Sequence, residues 1–117
     1  MKIKGNKILI TGGASGIGLG LAERFVKENN TVIVCGRRKS RLTEVSEKIP
    51  GIITRACDLS TVSGREGLFN WISAEHDDLN VLINNAGIQQ IMGVHDTDFF
   101  QRAEEEIKIN IEAPLHL

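Results

Sequence analysis

The stretch that decides the fold is Lys7-Ile8-Leu9-Ile10-Thr11-Gly12-Gly13-Ala14-Ser15-Gly16-Ile17-Gly18. Lys7 to Thr11 is a short β-branched and aliphatic run stopped by two glycines, the mark of a buried strand. From Ile17 onward the apolar residues fall at Ile17, Leu21 and Phe25, with Ala22 and Val26 beside them. That spacing is one face of a helix.

The strand-and-helix unit repeats along the 117 residues. Thr31 to Cys35 reads as a second strand, followed by a helix whose apolar stripe is Leu42, Val45 and Ile49, ended by Pro50-Gly51. Ile52 to Cys57 predicts a third strand, interrupted by Arg55, and leads to a helix presenting Leu68, Trp71 and Ile72. Leu79 to Ile83 predicts a fourth strand. After a loop from Gln89 to Thr97, Asp98 and Gln101 read as an N-cap pair opening a last helix with Phe100, Ala103, Ile107 and Ile111 on one stripe. Four nearly all-apolar strands alternating with helices specify the α/β class: one Rossmann-like domain over residues 1–117, a doubly wound parallel sheet of about four strands. In such a layout ligands lie outside the carboxyl ends of the strands.

Charge and composition exclude several partners. With 14 Lys+Arg against 15 Asp+Glu and a net charge of −1, there is no basic block of the kind that nucleic acid binding draws on. No apolar run approaches the ~20 residues of a membrane span, and Met1 to Gly5 passes straight into the first strand, so the chain is expected in the cytoplasm. Cys35 and Cys57 are too few for a disulfide framework and read as buried thiols. His76, His95 and His116 are too widely separated for a metal site. Glu104-Glu105-Glu106 reads as a solvated helix face.

The chemistry should sit just after the strands. Gly12, Gly16 and Gly18 supply what a dinucleotide-binding turn needs: a tight turn, close backbone approach to a pyrophosphate, and close packing of helix on strand. No Lys-Ser/Thr pair follows, so a phosphate-transferring loop is not indicated. The second strand ends in Cys35-Gly36-Arg37-Arg38-Lys39, where an NAD-binding unit would carry Asp or Glu. The missing acid and the cations favour NADP(H) over NAD(H), because Arg forks can hold a 2′-phosphate; an ordinary solvated basic turn is the alternative. Asp58 could cap the next helix or lie near an adenine. Asn84-Asn85-Ala86-Gly87 reads as a small-residue turn or as a close approach to a ribose.

Taken together, Thr11-Gly12-x-x-x-Gly16-x-Gly18, Asp58, Asn84-Asn85-Ala86-Gly87 and Asn110 resemble the classical short-chain dehydrogenase/reductase family over essentially the whole chain. Residues 84–89 and 109–114 further resemble a bacterial subgroup named for teichoic-acid D-alanylation operons. The resemblance implies cofactor contacts for Gly12, Ser15, Ile17, Arg37, Asp58, Leu59, Asn85, Ala86 and Gly87, and for Gly16, Gly18 and Arg38 in the same loops. It also implies that Asn110 belongs to a catalytic Asn, Ser, Tyr, Lys set and holds a water through its backbone carbonyl. Pro114, four residues later, has no N–H to close that helical hydrogen bond and would leave the carbonyl open.

The family's Ser and Tyr-x-x-x-Lys have no counterpart here, and the chain contains no tyrosine. Its last residues are apolar and periodic, as if cut inside an element. The expectation is the N-terminal, cofactor-binding part of an NADP(H)-dependent oxidoreductase that moves hydride between nicotinamide and an alcohol or carbonyl. By itself it is expected to be inactive, with a small-molecule substrate belonging to the intact parent and a homo-oligomer as the assembled state. The alternative is a dinucleotide-binding fragment that self-associates, for which Phe99-Phe100 offers apolar surface.

Overall fold

The computed structural model describes residues 4–14 and 16–85. Four strands alternate with three helices: β1 (Lys7–Thr11), α1 (Gly16–Lys27), β2 (Thr31–Gly36), α2 (Lys39–Lys48), β3 (Ile53–Ala56), α3 (Val62–Glu75) and β4 (Val81–Asn84). The strands form one parallel sheet in the order β3-β2-β1-β4. Central Leu9 pairs with Ile33 on one side and Leu82 on the other. The parallel α/β architecture is therefore as the sequence predicts.

Alternation along the strands divides the core into two layers. Ile8, Ile10, Val32 and Val34 pack with Ala22 of α1, Leu42 and Val45 of α2, and Ile49 and Ile52. Leu9, Ile33 and Cys35 face the other way and pack with Leu59 and with Leu68 of α3. Both faces of β1 and β2 are thus covered, which is why these strands are apolar throughout. Each such side chain contributes about 1.5–3 kcal/mol on full burial.

At the amino ends of the strands, three asparagines form a cluster beside the backbone bonds from Thr31 N to Asn6 O (2.9 Å) and from Asn80 N to Lys7 O (3.1 Å). Asn6 donates to Asn30 Oδ1 through its backbone N (3.1 Å) and Nδ2 (3.2 Å), while Asn80 Nδ2 donates to Asn6 Oδ1 (2.9 Å). Asn80 Oδ1 in turn accepts from the Lys7 amide (2.8 Å), and Asn30 Nδ2 donates to the Phe25 carbonyl (2.9 Å). Beside this cluster Lys7 Nζ pairs with Asp78 Oδ1 (2.7 Å) and contacts His76 Nδ1 (3.3 Å). This end is closed by its own polar groups, which leaves the carboxyl ends as the open edge.

Several boundaries and faces differ from the sequence reading. β4 starts at Val81, not Leu79, because pairing with β1 begins at Ile8–Val81 and the Leu79 amide is spent on a turn to the His76 carbonyl (3.0 Å). β3 is confined to Ile53–Ala56, and β2 runs on to Gly36. Ile17 does not belong to the buried stripe of α1: it is 78% exposed, and the helix buries Gly18 and Ala22 instead. A glycine at the contact position leaves no hydrophobic signal, so spacing alone starts the stripe one residue early. Trp71 packs against the core layer as the sequence reading expects, but only half-buried: its Nε1 donates to Glu75 Oε2 (3.1 Å), and the Arg55 guanidinium stands 5.0 Å from its ring centroid. The helix expected from Asp98, the loop before it, Phe99-Phe100, Glu104 to Glu106, His95, His116 and Pro114 lie outside the described residues.

Candidate functional site

Because all four strands are parallel, the segments after β1, β2, β3 and β4 emerge along one edge of the sheet. The strand order reverses direction between β1 and β4, and the glycine turn and Asn85 flank that point. Such a reversal opens a crevice above the sheet.

The glycine turn is built around backbone conformations and close approaches that side chains would prevent. Gly12 (φ 68°) and Gly16 (φ 60°) lie in the left-handed region. A Cβ on Gly18 would lie 2.6 Å from the Gly12 carbonyl oxygen and would also overlap Asn85 Nδ2. Gly13, which the sequence reading did not single out, sits so close to β2 that a Cβ would lie 2.8 Å from Val34 Cβ; the signal available was its place directly after Gly12 at the strand end. The Gly12 amide donates to the Cys35 carbonyl (3.0 Å), tying the turn to the end of β2.

Asn85 locks the other wall. Its amide donates to Thr11 Oγ1 (3.0 Å), and its Nδ2 donates to the Gly12 carbonyl (3.2 Å). The side chain that the sequence reading assigned to cofactor contact is therefore also the clamp on the glycine turn. Thr11, 1% exposed, was missed as a site residue, although it closes the first strand directly before the glycines.

Beyond the turn, the described residues of this edge include exposed Ile17, Arg37 and Arg38. Gly16 is exposed, with nothing within 4 Å of where its Cβ would stand, and the first turn of α1 holds no acidic residue. The positive end of a twelve-residue helix suits a pyrophosphate there. After β2, Arg37 and Arg38 are both exposed; Arg38 takes the N-cap position of α2 with extended backbone and no side-chain cap bond. Among the described residues no group of three or more His, Cys, Asp or Glu side chains is placed to hold a metal ion.

After β3, Asp58 does not cap the following helix. Thr61 does, accepting from the Gly64 amide (3.0 Å). Asp58 Oδ1 instead accepts from the Ser60 hydroxyl (2.6 Å) and the Ser60 amide (2.9 Å), a self-contained turn. The Ser60 hydroxyl is the main cause holding the Asp58 carboxyl below its ordinary value; partial burial opposes it, and the Ser60 amide and the Arg37 charge assist. Because the folded value is the lower one, the stabilisation is complete above the ordinary carboxyl range and is lost as pH falls through the lowered value. Ser60→Ala should move the Asp58 titration, followed by carboxyl NMR, to higher pH; an unchanged midpoint would remove the hydroxyl as the cause.

Next to Asp58 the two thiols meet. Cys35 is buried and Cys57 half-buried; the interaction between the two thiols, together with burial, pushes the Cys35 thiol up, while the same interaction lowers Cys57. Of the residues expected to form the site, the structure brings Gly12, Gly16, Ile17, Gly18, Arg37, Arg38, Asp58, Leu59 and Asn85 to this edge. Ser15, Ala86, Gly87 and Asn110 lie outside the described residues.

Comparison with known proteins agrees with this architecture. Residues 6–117 match the family model described as short chain dehydrogenase. The oxidoreductase DltE of Bacillus subtilis is 46% identical over 123 residues, covering 100% of this chain and 47% of the relative. The NADP-dependent 3-hydroxy acid dehydrogenase YdfG of Salmonella typhimurium is 33% identical over 82 residues, covering 69% of this chain and 33% of that protein. Among solved structures, a short chain dehydrogenase from Bacillus anthracis superposes with a TM-score of 0.82 at 29% identity, over 97% of this chain and 48% of the other. The chain spans about half the length of the curated relatives it matches.

Proposed function

Since the chain belongs to the short-chain dehydrogenase family, we propose that it forms the cofactor-binding part of an oxidoreductase that takes NADP(H) in preference to NAD(H). When bound, that cofactor supplies hydride transfer to or from a carbonyl or alcohol carbon. In this reading the backbone from Gly12 to Gly18, with Ser15, receives the pyrophosphate at the start of α1. Arg37, with Arg38, holds the 2′-phosphate, Asp58 and Leu59 border the adenine, and Asn85, Ala86 and Gly87 pass the adjoining ribose. Asn110 holds a water in a proton relay.

The observation that carries the reading is the convergence at one sheet edge of a glycine turn, clamped by Asn85 through Thr11 and Gly12, with a β2 end that bears Arg37 and no carboxylate. The NADP-dependent relative supports the preference within its partial coverage. The free thiols of Cys35 and Cys57 support a cytoplasmic setting. With no tyrosine in its 117 residues, the chain has no tyrosine hydroxyl to move the proton that accompanies hydride. It is therefore expected to bind cofactor and not to turn over a carbonyl substrate.

Calorimetric titration tests this directly. NADPH should bind more tightly than NADH by about tenfold or more, the equivalent of one charge-assisted contact. Equal or tighter NADH binding would refute the preference, and silence with both would refute the site. A second reading, association between copies, is favoured by Phe69 (66% exposed) and Leu82 (38% exposed) beside a groove of about 350 Å³ along the β4 edge. Light scattering that gives a monomer at high concentration would count against it.

A further inference from the structure

Helix α3 buries two side chains, Arg65 and Leu68. Leu68 joins the apolar layer with Leu9, Ile33, Cys35 and Leu59. Arg65, 2% exposed, is the largest fully buried side chain among the described residues. A guanidinium taken out of water against apolar neighbours is costly unless hydrogen-bonded, and a leucine would fill such a position without that cost. One of its bonds is therefore informative: Arg65 Nη1 donates to the Leu59 carbonyl at 2.8 Å, a bond that is itself buried.

Leu59 lies in the turn after β3, beyond the last ladder pair at Gly36–Ala56. The rest of that turn is held by its own residues, through the Asp58–Ser60 bonds and the Thr61 cap. Gly64 completes the contact from the helix side, because a Cβ there would overlap the Asp58 carbonyl. The body of α3 thus grips the turn at two adjacent points, the Asp58 backbone through Gly64 and the Leu59 carbonyl through Arg65.

We propose that Arg65 is a positioning residue for nucleotide binding: by holding the Leu59 carbonyl it sets the Asp58–Leu59 turn at which the adenosine end of the dinucleotide is received. This rests on the dinucleotide-binding reading above. The test uses the full chain with two probes, NADPH and adenosine 2′-phosphate 5′-diphosphate, which carries the adenosine end alone. Arg65→Met should weaken both by on the order of tenfold, because the Asp58–Leu59 turn is no longer held in place, and Arg65→Lys should recover part of it. Affinities are compared at a temperature where circular dichroism shows each variant fully folded. The Ser60 amide resonance should move in Arg65→Met while those of Gly12 and Gly16 stay in place; a purely structural role would lower the melting temperature without that local signature or the affinity loss.

A folded Arg65→Met that binds the adenosine probe as tightly as the parent overturns the proposal. If Arg65→Met does not fold, Arg65→Lys decides, with about a threefold loss expected for one ammonium in place of the fork; parental affinity with an unmoved Ser60 amide overturns it. A parent chain that binds neither probe overturns the dinucleotide reading itself, an outcome distinct from a parent that binds and a variant that binds equally well.

Discussion

Gly18→Ala is expected to destabilise the chain by about 1–3 kcal/mol and to abolish tight NADPH binding, while Gly20→Ala two residues later stabilises it by up to about 1 kcal/mol. Both glycines lie in α1, so both substitutions gain the same helix propensity, and the difference isolates local packing. At Gly20 a Cβ meets nothing within 4 Å. At Gly18 it would lie 2.6 Å from the Gly12 carbonyl oxygen and 3.1 Å from Gly13 Cα, and it would displace Asn85 Nδ2. The side chain of Asn85 can rotate, but only by giving up its bond to the Gly12 carbonyl. The backbone at Gly12 and Gly13 can yield only by moving the turn that Cys35 and Val34 hold from the other side. Urea midpoints for the two variants check the sign, and calorimetry checks the binding. Equal stability changes at the two positions would show that the close approach carries no energetic weight.

Arg37→Asp should lower NADPH affinity by on the order of a hundredfold and leave NADH binding equal or improved. The substitution removes a charge-assisted fork, and it sets a carboxylate where a 2′-phosphate would lie, so attraction becomes repulsion. A carboxylate at the end of the second strand is also what accepts hydrogen bonds from the ribose hydroxyls in NAD-binding units. Arg38→Ala, at the N-cap of α2 with no side-chain cap bond, should cost much less. If the NADPH-to-NADH affinity ratio of Arg37→Asp matches that of the parent, Arg37 does not read the 2′-phosphate.

The parts of this fold that were legible in the sequence are those whose cause is local. An aliphatic run ended by paired glycines defines a buried strand and its turn wherever it occurs, and Leu42, Val45 and Ile49 mark the buried face of α2 by spacing alone. What was not legible depends on contacts between distant segments. The buried side of α1 begins at Gly18, a residue with no side chain to reveal it, so spacing alone places Ile17 on that face. Whether Asp58 or Thr61 caps α3 depends on where the helix starts, which is set by Gly64 pressing on Asp58. Asn6, Asn30 and Asn80 form one cluster across 74 residues of sequence separation. The burial of Arg65 follows only from how α3 lies against the sheet.

The most direct test is to follow the backbone amides of the 15N-labelled chain as NADP+ is added. Resonances of Gly12, Gly16, Ile17, Gly18, Arg37, Asp58, Leu59 and Asn85 should shift together and saturate at one affinity, with Asn6, Asn30 and Asn80 at the opposite end of the sheet unmoved. Saturating NADP+ that leaves the glycine turn and Arg37 unshifted, or that moves the asparagine end instead, would contradict dinucleotide binding at the carboxyl edge.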